Sequence, residues 1–209
     1  MPASPVRPCL LLLLLCSLPA LAAAQSPAAG VQTPTPATDL ADGATEWTAV
    51  ASHSWGVEIA HSTSGQRYVR QALTWGHVLS GPHGPGPLRG HFSWGIAVTP
   101  VFLIYEPGSA YGVGVSPISW RWSFAARGRV LPYAELNGGL LFTDTPVPDE
   151  TTRVNFTAHA AAGVRIMISR AQGLVVGYEL HHVSNGNRLE RNPGINGHSV
   201  FAGWTVFRR

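Results

Sequence analysis

The sequence predicts an all-β protein, an eight-stranded antiparallel transmembrane β-barrel of the outer-membrane type. Apolar residues make up 45% of its 209 residues, but charged residues only 12%, about half the usual share of a soluble domain. From residue 46 onward, apolar and polar side chains alternate with the period of two that strands show. A membrane barrel reconciles these observations, because lipid covers its apolar outer face.

The first 24 residues have the pattern of a secretory signal peptide. Arg7 precedes an apolar run from Leu10 to Leu15, and three alanines end the segment at Ala24. A basic start, a short apolar core and small residues at the cleavage site are typical of such peptides. The apolar run is too short to span a bilayer as a helix. We therefore expect residues 1–24 to be removed on export.

The mature chain is predicted to contain a flexible lead and one barrel. Residues 25–45 are rich in alanine, proline and threonine, which indicates a flexible periplasmic segment. Residues 46–209 are then long enough for eight crossing strands. Both cysteines, Cys9 and Cys16, lie in the predicted signal peptide, so neither a disulfide nor a catalytic thiolate is expected.

The charge pattern argues against several classes of partner. All 14 basic residues are arginines, and they are scattered among 11 acidic residues, so no nucleic acid partner is expected. The nine histidines are not grouped at metal-ligand spacings, apart from the adjacent His181 and His182, whose side chains diverge on a strand. No metal or other cofactor is therefore expected.

The barrel strands are predicted from alternation and from the turns between them. They are expected at about 46–60, 66–79, 90–105, 111–126, 129–143, 153–168, 174–185 and 197–207. On the third, Phe102 is predicted to share the lipid face with Trp94. Side chains fill the interior of an eight-stranded barrel, so charged residues on the inner faces of its strands could pair there. On the later strands these charged residues are Arg121, Glu135, Arg165 and Glu179.

The seventh strand carries the candidate chemistry. His182 and Ser184 continue its apolar face, and residues i and i+2 of a strand lie about 6.5–7 Å apart. Two side chains can bridge that distance, so His182 could take the proton of Ser184 during nucleophilic attack. Asn196 shares the parity of the apolar residues of strand eight. If the lead is periplasmic, all three side chains meet outside the barrel at the outer leaflet, where they would act on a membrane lipid.

This pattern resembles that of the PagL-type lipid A 3-O-deacylases. The resemblance covers about residues 111–207 and depends on His182-x-Ser184-Asn185, the turn Asn192-Pro193-Gly194-Ile195 and a short aromatic last strand. It implies a Gram-negative outer-membrane enzyme that removes an ester-linked acyl chain from lipopolysaccharide (lipid A), surrounded by outer-membrane lipids and without a cofactor.

The same resemblance implies roles for individual residues. His182 would be the general base, Ser184 the nucleophile, Asn185 a group that helps stabilise the oxyanion, and Phe156 an aromatic side chain beside the substrate. The family pattern has a glutamate where Asn196 stands. An asparagine can orient the imidazole but cannot supply a negative charge opposite an imidazolium.

Two other interpretations remain open at the level of sequence. The chain could be a non-catalytic small barrel in which the His–Ser pair is a relic, or an esterase that acts on phospholipids. The residues do not distinguish a monomer from a homodimer. His181 points to the opposite face of the strand and is predicted to be structural.

Overall fold

The computed structural model describes residues 40–59, 62 and 65–209. Eight strands follow one another along the chain: β1 Thr45–Gly56, β2 Arg67–Val78, β3 Gly90–Glu106, β4 Ala110–Phe124, β5 Val130–Thr143, β6 Val154–Met167, β7 Gln172–Ser184 and β8 Ile195–Arg208. A short 3₁₀-helix, Gly86–Leu88, lies between β2 and β3. In the described part of the chain no helix has the length and apolar character needed to span a membrane.

The strands form a closed antiparallel barrel in sequential order, as predicted. Closure joins β1 to β8, from Thr45 opposite Arg208 to Gly56 opposite Gly197. Both ends of the barrel chain therefore lie at one rim. The other rim holds the connections 107–109, 144–153 and 185–194, together with the described residues 57–59, 62 and 65–66 of the connection between β1 and β2. The predicted strand ends agree with the structure to within a few residues, with β1 ending earliest relative to its prediction.

The outer surface of the barrel is apolar along its strands. Exposed side chains at alternating positions include Trp120, Leu136, Tyr178, Leu180 and Val200, each more than 40% accessible. Exposure of this many large apolar groups has a high free-energy cost in water and none in lipid. The alternation in the sequence thus corresponds to the two faces of the barrel wall.

The predicted orientation of Phe102 is wrong. Its side chain is fully buried and packs on Tyr68, with ring centroids 5.0 Å apart. The pairing of β3 shifts in register between Thr99 and Phe102 against β4, and β2 shifts between Gln71 and Leu73 against β3. An extra residue at a β-bulge reverses the inward and outward parity beyond it, and the simple alternation of side chains does not reveal such a residue.

Charged side chains pair inside the barrel near the rim that holds the chain ends. Two of the four charges predicted to face the interior contact each other, with Arg121 Nε 2.6 Å from Glu135 Oε2. Arg121 also lies 2.9 Å from Glu46. Arg165 contacts Glu46 through two nitrogen atoms at 2.8 and 2.9 Å. Glu46, which was not among the predicted interior charges, therefore links two buried arginines.

A small apolar cluster closes the interior at the same rim. It includes Leu40 and Ala44, which belong to the segment predicted to be a flexible lead and are nevertheless buried. They pack with Val78, Leu131, Met167 and Phe207. The predictions for residues 1–24 and 25–39 lie outside the described residues.

Candidate active site on the outer face

Strand β7 presents its two faces to different surroundings. On the inner face, Glu179 accepts hydrogen bonds from Arg70 at 2.7 and 2.8 Å, and Nδ1 of His181 lies 2.9 Å from the Tyr68 hydroxyl. His181 is buried inside the barrel as expected. These contacts anchor the strand from within, and the alternation of side chains then directs His182 to the outer surface.

The structure brings His182 and Asn196 together on that outer surface. The two residues lie opposite each other in the pairing of β7 with β8, and His182 Nδ1 is 2.7 Å from Asn196 Oδ1. The orientation of the amide is set by its other end, because Asn196 Nδ2 donates to the carbonyl oxygen of Ile59 at 3.1 Å. A backbone carbonyl can only accept, so the nitrogen must face Ile59 and the oxygen must face the imidazole.

This arrangement defines the tautomer of the neutral imidazole. Since Asn196 Oδ1 can only accept, His182 Nδ1 carries the proton and donates it. The other ring nitrogen, Nε2, then has a free lone pair. A lone pair on Nε2 is what a general base requires when the opposite nitrogen is held by an orienting group.

Ser184 lies next to His182 but is not hydrogen-bonded to it. Among the described residues no hydrogen bond joins the two side chains, and Ser184 is 8% exposed. Both converge on Gly194: a Cβ atom placed there would lie 3.2 Å from His182 Cε1 and 3.8 Å from Ser184 Cβ. Base–nucleophile contacts are often long without substrate and tighten when it binds, so this geometry is compatible with proton transfer.

Phe156 lies beside Ser184 on the neighbouring strand. The two residues are opposite each other in the pairing of β6 with β7, and the ring is 45% exposed. One ring edge packs so closely on Gly186 that an added Cβ would lie 2.8 Å away. The guanidinium of Arg188 lies over the ring at 5.1 Å from its centroid. Phe156 and the loop after β7 thus form one wall beside the serine.

Asn185 is oriented away from the outer face. It is completely buried, and its Nδ2 donates to the carbonyl of Arg191 at 2.9 Å. Its backbone N–H donates to Asn192 Oδ1 at 3.0 Å, while its own Oδ1 has no hydrogen-bond partner in the part of the chain that the structure describes. These contacts make Asn185 an organiser of the loop between β7 and β8. No hydrogen bond joins its side chain to Ser184 among the described residues.

A groove with a volume of about 360 Å³ begins at His182 and Asn196 and runs over the outer face. Its floor includes Ala158 and Ala160 of β6. Ala160 lies between Leu136 of β5 and Leu180 of β7 in the strand pairing. Ala160 is small between two leucines, and Ala158 lies between Gly138 and His182, so the small side chains leave a largely apolar trough that ends at the imidazole.

Sequence reasoning missed two parts of this site. The Ile59 carbonyl acts through the backbone, so no residue type indicates it. The trough could have been found, because the outward positions of strand six alternate as Ala158, Ala160 and Ala162, which are small where neighbouring strands carry leucine and tyrosine. No group of three or more His, Cys, Asp or Glu residues within the described ranges is arranged to hold a metal.

Comparisons with known proteins bear on both the fold and the site. A family model described as "Lipid A 3-O-deacylase (PagL)" matches residues 46–205, which include all the residues of the site. A search of curated proteins found no match. Among solved structures, the outer membrane enzyme PagL is similar with a TM-score of 0.59 at 18% identity, over 76% of this chain and 98% of that chain.

A second solved structure shows the same fold. Neisserial surface protein A (NspA) is similar with a TM-score of 0.53 at 15% identity, over 79% of this chain and 99% of its own. At identities this low, the similarity shows only the barrel architecture. Both structures support the assignment of this chain to the eight-stranded outer-membrane barrels.

Proposed function

This chain belongs to the lipid A 3-O-deacylase (PagL) family, and from that premise we propose that it is a serine esterase of the Gram-negative outer membrane. Its substrate is lipopolysaccharide, from which it removes the acyl chain ester-linked at the 3-position of lipid A. The reaction takes place on the lipid-facing side of the barrel, in the outer leaflet. The observation that carries the proposal is the outward pair His182–Asn196 at the mouth of an apolar trough.

The proposed acylation step uses His182 and Ser184. Ser184 Oγ attacks the ester carbonyl carbon while His182 Nε2 takes the hydroxyl proton, which gives a tetrahedral oxyanion and an imidazolium. The oxyanion then collapses, the bond to the sugar oxygen breaks, and the imidazolium returns its proton to that oxygen. The products are an acyl-serine and a free hydroxyl on lipid A.

Deacylation repeats the chemistry with water. His182 Nε2 accepts a proton from the water that attacks the acyl-serine, and the proton then passes to Ser184 Oγ as the fatty acid leaves. Asn196 Oδ1 keeps Nδ1 protonated through both steps. Its amide dipole replaces the charge of the family glutamate, so the imidazolium is stabilised less than it would be by a carboxylate.

Oxyanion stabilisation is proposed to come from the loop that follows Ser184. Asn185 retains its predicted role through the second N–H of its Nδ2, which the bond to Arg191 leaves free. Because the side chain is buried, this role requires the loop to shift when substrate binds. In the unshifted loop, Asn185 contributes by holding the segment 185–192 in place.

The trough supports a lipid substrate. An acyl chain lying over Ala160, between Leu136 and Leu180, and over Ala158 would place its ester end near His182, which is paired with Ala158. The acyl chain is already surrounded by lipid before it binds. Moving each of its methylene groups from lipid into the trough therefore gains little free energy. The trough therefore contributes orientation, which brings the ester to the nucleophile.

The test is fatty acid release from lipopolysaccharide by the purified full chain in detergent micelles, followed by mass spectrometry. Wild type should release the 3-O-linked chain, and Ser184→Ala should reduce the rate by about 10³-fold or more. His198→Gln is the matched control, since His198 lies on the outer face of β8 two residues from Asn196.

Three outcomes would contradict parts of the proposal. If wild type and Ser184→Ala give lipid A with the same acyl chains, the deacylase assignment is wrong. Release from phospholipids but not from lipid A would make the protein a phospholipid esterase. Hydrolysis of neither lipid by a folded barrel would identify a non-catalytic member of the family.

A further inference from the structure

The asparagine at position 196 creates a requirement that a glutamate would not have. A carboxylate presents two equivalent oxygens, whereas an amide presents an oxygen in one orientation and an N–H donor in the other. If the amide of Asn196 turned over, Nδ2 would donate to His182 Nδ1 and the imidazole would carry its proton on Nε2. In a serine hydrolase that tautomer lowers kcat by about 10⁴-fold, because the base no longer faces the nucleophile.

Within the described residues, a backbone carbonyl selects the orientation of the amide. Asn196 Nδ2 donates to Ile59 O at 3.1 Å, and this acceptor belongs to the connection between β1 and β2. The same connection is joined to β8 by a backbone bond of 2.8 Å from Val57 N to Asn196 O. The position of the Ile59 peptide therefore decides which end of the Asn196 amide faces the imidazole.

The side chain of Ser62 forms hydrogen bonds that fix the position of the Ile59 peptide. Ser62 is 7% exposed, and its hydroxyl accepts a hydrogen bond from Ile59 N at 3.0 Å and donates to Val57 O at 3.1 Å. Its backbone N–H donates to Ile59 O at 3.1 Å. The serine is thus inserted into the turn 57–59 and occupies both the amide and the carbonyl side of Ile59.

We infer that Ser62 is a positioning residue for the esterase reaction. Its hydroxyl fixes the Ile59 peptide, the Ile59 carbonyl selects the orientation of the Asn196 amide, and Asn196 Oδ1 keeps the proton on His182 Nδ1. Ser62 does not touch the substrate or the reacting atoms. The inference deepens the proposed function and depends on it for its kinetic part, but the tautomer of His182 can be measured without turnover.

The kinetic test is a double-mutant cycle. Ser62→Ala should lower kcat about three- to tenfold, the change expected when one hydrogen bond that biases the amide is lost, and leave KM unchanged. In the Asn196→Glu background the same change should have no effect, because a carboxylate needs no selected orientation. Ser62→Thr keeps the hydroxyl and should restore activity.

A matched control is available at the other rim. Ser169 Oγ accepts hydrogen bonds from Ala171 N at 3.2 Å and Gln172 N at 3.1 Å. Like Ser62, it is a serine whose hydroxyl bonds to the backbone of a turn, but this turn is far from Asn196. Ser169→Ala should leave kcat unchanged. If Ser62→Ala does not fold, Ser62→Cys takes its place, since a thiol is only a weak donor and acceptor.

The structural test is ¹⁵N NMR of histidine-labelled protein in micelles, with His182 assigned by its absence in His182→Gln. Wild type should show the Nδ1–H tautomer, and Ser62→Ala should show a measurable fraction of the Nε2–H form. An unchanged tautomer in Ser62→Ala would overturn the inference, and so would an equal loss of kcat in the Asn196→Glu background. Failure of wild type to hydrolyse lipid A would instead contradict the proposed function.

Discussion

His182 Nδ1 lies 2.7 Å from Asn196 Oδ1, on the outside of the barrel and directly across the β7–β8 pair. At position 196 the resemblance to the family predicts a glutamate, and the contact has a neutral orienting group instead. Because Asn196 Nδ2 is bound to Ile59 O, the amide keeps its oxygen on the imidazole. Orientation and tautomer are therefore preserved, and the negative charge is the part of the proposed triad that is missing.

Restoring the charge at position 196 tests this division of roles. We expect Asn196→Glu to keep or raise the rate of acyl release, because a charge-assisted hydrogen bond is roughly twice as strong as a neutral one and stabilises the imidazolium. Asn196→Leu removes the acceptor and should lower kcat by about 10²-fold or more. Steady-state release of fatty acid measures both. Loss of all activity in Asn196→Glu would show that Asn196 has a different role.

Gly194 is predicted to be intolerant of any side chain. A methyl group there would lie 3.2 Å from His182 Cε1, beside Ser184, and the backbone φ of +66° is unfavourable for alanine. Gly194→Ala should reduce kcat by about tenfold or more.

A substitution at Gly128 separates the two causes of the expected loss of kcat, which are crowding by the added Cβ and backbone strain. Its φ is +61° but a Cβ would contact nothing, so Gly128→Ala carries the backbone strain without the crowding. It should lower stability slightly and leave activity intact. Equal losses of kcat in both variants would mean that crowding at the site is unimportant.

The trough can be filled to test whether it holds the acyl chain. Ala160→Phe places a ring between Leu136 and Leu180 and should raise KM or lower kcat for long-chain substrates more than for short-chain esters. Ala202→Phe is the control, because Ala202 is an outward alanine of β8 that does not line the trough. Rates measured over a series of acyl lengths distinguish the two. Identical profiles for both variants would exclude the trough as the acyl site.

The buried ion pairs predict a stability effect that is independent of activity. Glu46 contacts both Arg121 and Arg165 inside the barrel, so Glu46→Gln leaves two arginines without their shared carboxylate. Loss of one member of a buried ionic cluster costs about 3–5 kcal/mol in free energy of unfolding, which urea titration of the folded barrel can measure.

An exposed pair provides the comparison for that measurement. Glu106 contacts Arg67 at 3.1 Å, with both side chains about half exposed. Glu106→Gln should change the free energy of unfolding by less than about 1 kcal/mol. A smaller effect at Glu46 than at Glu106 would show that the interior network does not stabilise the barrel.

The sequence by itself determined the barrel and the face on which the candidate site lies. Alternation with a period of two specifies which side chains face lipid, and the shared parity of His182 and Ser184 follows from it directly. That of Asn196 follows in the same way from strand eight. The residue types also indicated Arg121, Glu135, Arg165 and Glu179 as interior charges, since charges in a membrane strand must turn inward.

Only the tertiary structure decided the contacts that depend on register and backbone. An extra residue in β3, relative to both β2 and β4, turned Phe102 inward, and closure of the barrel brought Glu46 to Arg165 across 119 positions of the chain. The orientation of the Asn196 amide depends on the Ile59 carbonyl. The sequence specifies which side-chain groups are present. The direction of a backbone carbonyl depends instead on how segments that are distant in the sequence pack together.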